Sequence, residues 1–210
     1  MKDSIQKNIN NQINNRVIPR WEWRTFGMEF PEAEKILSSM RCNTIKESEE
    51  IYILSKNSNE NCKIRNSLMD IKIIEQTNPD GLELWKPVLK ASFPLSFEIV
   101  RLVLRTLHVR KPLAMRNQYT HHQFLKEIVA SNPKLSLVDV KKKRMCYTLE
   151  QAEVELSELQ VGNQSLKTIA VESENPNIVK NVLKLLKLDN LPNINYIKAL
   201  KKMSRHEYGN

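Results

Sequence analysis

Charged residues recur at every second position along several otherwise apolar stretches of this 210-residue chain. Arg20, Glu22 and Arg24 share one parity, with Trp21 and Trp23 on the other. Lys63 and Arg65 are opposed by Cys62 and Ile64, and Asp70 and Lys72 by Met69, Ile71 and Ile73. Further on, Lys142 and Arg144 stand in a basic run, Glu153 and Glu155 alternate with Ala152, Val154 and Leu156, and Glu172 and Glu174 flank Ser173. In a strand, alternate side chains point to opposite faces, so each set would share one face. A sheet with one wet face gives such a pattern with no function attached. A wet face, however, tolerates Ser, Thr, Gln and Asn, whereas these positions are nearly all ionised and sorted by sign from segment to segment. A sheet closed on itself with those faces inward could hold a polyphosphate. Arg and Lys would donate charge-assisted hydrogen bonds to phosphate oxygens, and carboxylate pairs are hard oxygen ligands for Mg²⁺ or Mn²⁺.

The elements that must position these residues follow from periodicity and turn chemistry. Residues 16–26 read as a strand, and Pro31 with two acidic residues behind it opens a helix reaching about 40. Residues 45–55 read as a strand, 55–61 as a hairpin loop, and 62–65 and 68–74 as strands joined by a tight Asn66-Ser67 turn. Three prolines and a glycine make 76–94 an irregular crossing. Helical spacing marks 96–109, 119–130 and 176–188, with Leu183, Leu186 and Leu188 expected to pack on the sheet. Residues 134–148, 150–159 and 166–173 read as three more strands. The pattern is α+β and dominated by antiparallel strands. Trp21, Trp23 and Trp85 are expected in core on the outer face.

Composition narrows the partners. Lys and Arg number 33 against 24 Asp and Glu, a formal net charge of +9, which suits a polyanion without naming one. No run of about 18 apolar residues is present, so a membrane span is not expected, and the Asn- and Lys-rich residues 1–15 read as a disordered lead-in rather than a secretory signal. The three cysteines are widely spaced, which fits neither a disulfide scaffold nor a zinc knuckle and points to a cytoplasmic protein. Four glycines leave no Gly-rich phosphate loop. His121 and His122 are adjacent and lack a partner at ligand spacing, so they are not expected to hold a metal. With 6% aromatic residues there are few stacking platforms for single-stranded nucleic acid.

Taken in order, Trp21-Glu22-Trp23-Arg24, Lys63-Ile64-Arg65, Asp70-Ile71-Lys72, Lys142-Lys143-Arg144, Ala152-Glu153-Val154-Glu155 and Ile169 to Glu174 resemble the CYTH superfamily, the triphosphate tunnel metalloenzymes. Asn193 to Tyr196 followed by Leu200-Lys201 is similar to the C-terminal end of bacterial members. The resemblance spans roughly 17–202 and implies one domain over 16–210: an eight-stranded antiparallel β tunnel with helices packed outside. It implies that Lys63, Arg65, Lys72, Lys142 and Arg144 bind phosphate, and that Glu22, Glu153, Glu155, Glu172 and Glu174 bind Mg²⁺ or Mn²⁺. The metal would then neutralise phosphate oxygens and orient water for in-line attack, making the chain a metal-dependent triphosphatase. No Ser or Cys stands out as a nucleophile, and no catalytic residue is assigned. The family also contains adenylate cyclases and thiamine-triphosphate hydrolases; no adenine or thiamine pocket is evident, so inorganic triphosphate is the expected ligand, with short polyphosphate or a nucleoside triphosphate beside it.

One departure bears on activity. The family's first strand carries Glu-x-Glu-x-Lys, and here those positions read Arg20-x-Glu22-x-Arg24. Arginine stays protonated, so Arg24 becomes a phosphate ligand but a poor base, and two cations beside Glu22 weaken divalent metal binding. A second reading is therefore a non-catalytic polyphosphate- or nucleotide-binding module. A third, a basic nucleic-acid binder using Lys141 to Arg144, fits poorly with charges directed into a tunnel.

Overall fold

Eight strands close into an antiparallel barrel with their apolar parity covered on the outside and their charged parity facing an interior in which opposite charges compensate one another. The structure is a computed structural model that describes residues 18–110, 112 and 115–207; the lead-in expected over 1–15 lies outside them. In chain order the elements are β1 (Arg20–Gly27), α1 (Pro31–Ser38), β2 (Thr44–Ser55), β3 (Asn61–Arg65), β4 (Leu68–Thr77), β5 (Glu83–Ser92), β6 (Leu95–Ser96) and α2 (Phe97–Thr106). There follow β7 (Gln118–Tyr119), α3 (His121–Gln123) running into a π-helical turn over Phe124–Val129, β8 (Leu135–Leu149), β9 (Ala152–Val161), β10 (Gln164–Ser173), α4 (Pro176–Leu185) and α5 (Tyr196–Glu207). The barrel order is β1-β10-β9-β8-β2-β3-β4-β5, closed by β1 against β5. Among the described residues no helix is long and apolar enough to cross a membrane.

Two-residue hairpins hold the register. Asn66 and Ser67 have φ of 51° and 58°, and Glu150 and Gln151 have 49° and 67°. Positive φ at both central residues is the backbone twist that matches paired strands. The segment 76–94 is not an irregular crossing. Its greater part is β5, which pairs with β4 along its length and with β1 at Arg20, Trp21 and Glu22. The prolines misled because Pro87 sits opposite Lys72 where the register shifts, leaving Val88 as the extra residue of a bulge. A bulge is where a sheet accepts a residue without an N–H.

Outside the barrel, two apolar layers do the packing. Trp23, Ile169, Val171 and Val154 meet Leu37 of α1 and Val179, Val182 and Leu183 of α4, with Leu186 and Leu188 buried beside them. Ile64, Met69 and Ile71 meet Val100, Val103 and Leu104 of α2 and Phe124 and Ile128 of the π turn. Ser96 caps α2 by accepting from the Ile99 N–H, and Thr120 and Gln123 form a reciprocal capping box on α3.

The C-terminal helix is an addition to the expected elements, and it lies at one end of the barrel rather than outside it. Tyr196, Ile197 and Leu200 pack with Tyr52, Leu54, Val140, Leu159 and Val161, so one end is filled with apolar side chains. Asn193 anchors the approach: its Oδ1 accepts the Arg24 N–H at 2.9 Å, and its Nδ2 donates to the Gly81 carbonyl at 2.8 Å. Leu200 is fully buried and Leu185 is 49% exposed. Leu200→Ala is therefore expected to cost about 2–5 kcal/mol in urea-monitored unfolding, and Leu185→Ala less than about 0.5.

Candidate functional site

Inward parity from β1, β3, β4, β5, β8, β9 and β10 converges on a cavity of about 100 Å³ between the apolar plug and the open end. Six cations line it: Arg24, Lys63, Arg65, Lys72, Lys142 and Arg144, all named from sequence as phosphate ligands. Glu22, Asp70, Glu155 and Glu172 line it as well. A wider space of about 290 Å³, lined by Lys46, Arg65, Lys90 and Arg144 among others, shares Arg65, Asp70 and Arg144 with it and forms the mouth.

The charges are paired unevenly. Glu50, with none of its side chain exposed, receives Lys63 Nζ at 2.9 Å, Lys142 Nζ at 3.4 Å and the Tyr52 hydroxyl at 3.0 Å on Oε2, and Arg65 Nη1 at 3.6 Å on Oε1. Burial would raise the Glu50 pKa, but the charges of Lys142, Lys63 and Arg65 hold it well below the usual carboxylate range. Arg65 also reaches Asp70 at 3.1 Å. Lys72 and Arg144, by contrast, make no ion pair or side-chain hydrogen bond among the described residues, and Arg144 Nε is buried without a partner. Lys142 is pushed down to about 7, first by burial and then by the neighbouring Lys63 charge.

Glu50 was not among the residues singled out from sequence. Its acidic run Glu47-Ser48-Glu49-Glu50 looks solvated, and only strand parity separates inward Glu50 from exposed Glu47 and Glu49. Trp85 is also placed differently from expectation: as part of β5 it lines the cavity, and its Nε1–H is buried without a partner. Tyr196 stacks on Tyr52 with ring centroids 5.4 Å apart and lies under the Arg24 guanidinium at 4.6 Å and Lys142 Nζ at 4.0 Å. Lys141 and Lys143 point outward and pair with Glu49 and Glu158, and His121 packs its ring against Phe93.

Of the five glutamates named as metal ligands, Glu22, Glu155 and Glu172 line the cavity, and Glu153 and Glu174 do not. Glu22 accepts Arg24 Nε at 2.8 Å, and Glu155 accepts Arg24 Nη1 at 3.3 Å and the Ser157 hydroxyl at 3.0 Å. Glu153 lies at the mouth, exposed and bound to Arg20 at 2.7 Å, and Glu174 lies beyond the end of β10, exposed. Glu172 stands across from Glu22 in the β1–β10 register and is pushed up to about 7 by burial and by the Glu22 charge. Among the described residues no three Asp, Glu, His or Cys side chains come together so as to hold a metal ion.

No family model matches this chain, and no curated protein does. Several solved structures share its general shape. A candidate adenylate cyclase of Bacillus halodurans aligns at 16% identity and a TM-score of 0.48 over 87% of this chain and 96% of its own. A candidate adenylyl cyclase of Hippeastrum with a dominant triphosphatase activity aligns at 12% and 0.48 over 90% and 96%. A conserved hypothetical protein of Pyrococcus furiosus aligns at 16% and 0.48 over 85% and 98%. At such values the likeness is without functional weight, and the closed eight-stranded barrel stands on its own strand order.

Glu50 offers a direct check on the electrostatic centre. Glu50→Gln keeps the shape and removes the carboxylate that Lys63, Lys142 and Arg65 share, so it is expected to cost about 3–5 kcal/mol in denaturant unfolding at neutral pH. The native carboxylate has a lowered pKa, so its stabilisation is present above about 4.5 and is lost as pH falls further. The gap between wild type and variant should accordingly shrink in acid.

Proposed function

We propose that the barrel binds inorganic triphosphate or a short linear polyphosphate through its interior cations. The observation that carries this reading is the pair of inward cations that make no ion pair within 4 Å among the described residues, Lys72 and Arg144, in a cavity lined by six cations. A buried charge without a partner is costly in a folded protein, and a ligand that supplies the partner recovers that cost. Phosphate oxygens are good acceptors for Arg144 Nε–H, and the Trp85 Nε1–H adds a neutral donor on the same wall. A linear chain of phosphates also suits a narrow cavity that widens only at its mouth.

The closed end does not favour a base-binding slot. Tyr52 and Tyr196 already stack on each other under Lys142 and Arg24, and Leu200 and Val161 fill the space behind them. A nucleoside triphosphate would enter phosphates first and leave its nucleoside at the mouth. Binding is favoured over hydrolysis on the first strand, where Arg20 and Arg24 stay protonated and neither can accept a proton from water; Glu172 and Lys142, each with a pKa of about 7, are the groups left that could.

Calorimetric titration with inorganic triphosphate tests the reading. Arg144→Met removes a side chain with no protein partner and is expected to weaken binding at least about tenfold, or ~1.4 kcal/mol. Lys141→Ala, an exposed change on the outer face, should leave affinity within about twofold. Equal losses at both positions would favour a surface patch instead. Phosphate release in Mg²⁺ or Mn²⁺ that Glu172→Ala abolishes would show an enzyme; binding without release is the expected result.

The pH dependence follows from Lys142. Its free-state pKa of about 7 means that above neutrality binding an anion must draw in a proton. Affinity should fall as pH rises above about 7, and Lys142→Arg, which stays charged, should flatten that slope relative to wild type.

A further inference from the structure

One side chain, Arg24, occupies the space between two of the cavity's glutamates, Glu22 and Glu155. It is 4% exposed and sits where a cation between the carboxylates of β1 and β9 would have to sit. Its Nε donates to Glu22 Oε1 at 2.8 Å, and its Nη1 donates to Glu155 Oε1 at 3.3 Å and to Thr168 Oγ1 at 3.4 Å. The Tyr196 ring covers the guanidinium plane at 4.6 Å, and the Asn193 side chain pins the backbone beneath it. Thr168 is itself fixed, donating to the Thr25 carbonyl at 2.7 Å. At the mouth Arg20 does the same to Glu153. Of the carboxylates named for metal, the three nearest the positive charges are thus already neutralised by covalently attached cations.

We propose that Arg24 is a resident counter-ion standing in place of a divalent metal, so that the ligand binds as the metal-free polyphosphate anion and not as its magnesium complex. This rests on the polyphosphate reading above and narrows it. A divalent ion entering with the ligand would meet Arg24 and Lys72 as like charges and would have to displace a guanidinium held by two carboxylates, a hydroxyl and a ring. Both steps are unfavourable at short range among side chains largely removed from water. A free polyphosphate meets no such obstacle: its oxygens face Lys72, Arg144, Arg65 and Lys63, while Arg24 keeps the carboxylates from repelling it.

The test compares wild-type affinity for inorganic triphosphate in excess EDTA and in excess MgCl₂. The expected result is binding in EDTA that weakens at least about tenfold in MgCl₂, as magnesium takes up the free anion. Binding that requires Mg²⁺, or is tighter with it, would overturn the role given to Arg24 and leave the binding reading standing. Binding in neither condition would overturn that reading and this one with it. A second measurement uses Mg²⁺ alone, with no phosphate, and follows thermal unfolding. Wild type should not shift, whereas Arg24→Gln, which frees Glu22 and Glu155, should be stabilised by Mg²⁺. Stabilisation of wild type by Mg²⁺ alone would count against the proposal, whether or not the variant folds.

Discussion

A carboxylate with no exposed surface, Glu50, lies within 4 Å of Lys63, Arg65 and Lys142, and the interior of the barrel can exist only because of contacts of that kind. Ionised groups removed from water lose several kcal/mol each unless charge and hydrogen bonds are returned to them. Here Glu50 gathers three cations and Arg24 gathers two carboxylates, so two hubs of opposite sign hold most of the interior in balance. The remainder, Lys72 and Arg144, make no ion pair within 4 Å among the described residues, and the proposed anion binding rests on them.

An interior of this type contributes little to stability, and the fold obtains its stability elsewhere. Apolar side chains on the opposite parity of the same strands pack under α1 and α4 on one side and under α2 and the π-helical turn on the other. Such burial is worth about 25 cal/mol per Å² of apolar surface. The third apolar cluster has a different task. With α5 it fills one end of the barrel, and by placing Tyr196 under Arg24 and Lys142 it links the plug to the charged layer. A site with a single mouth and an aromatic floor follows from where the last helix docks.

Much of this was legible in sequence because parity is a strong signal. Trp21 to Arg24, Cys62 to Arg65 and Met69 to Ile73 each show two faces of opposite chemistry, and the four cations named from them line one cavity with Lys142 and Arg144 of the basic run. What escaped did so for physical reasons. The strand β5 is broken by Pro87 at a bulge, and with it the inward position of Trp85 was missed. The helix α5 begins in a polar stretch, although Tyr196, Ile197, Leu200 and Met203 have helical spacing and the Asn195 side chain accepts from the Lys198 N–H as a cap. Glu50 hides in an acidic run that composition marks as solvated. The carboxylate pattern around Glu22 and Glu155 is visible in sequence, but the reach of one guanidinium across two strands is not.

The measurement that bears most directly on the account is the salt dependence of triphosphate binding by the wild-type protein. An anion held inside a closed-ended barrel is screened far less than one held on the outer face. The account predicts a single saturable site with one triphosphate per chain that persists when salt is raised well above physiological strength. Loss of binding with the steep log–log slope of an exposed basic surface, or heat with no fixed stoichiometry, would contradict it.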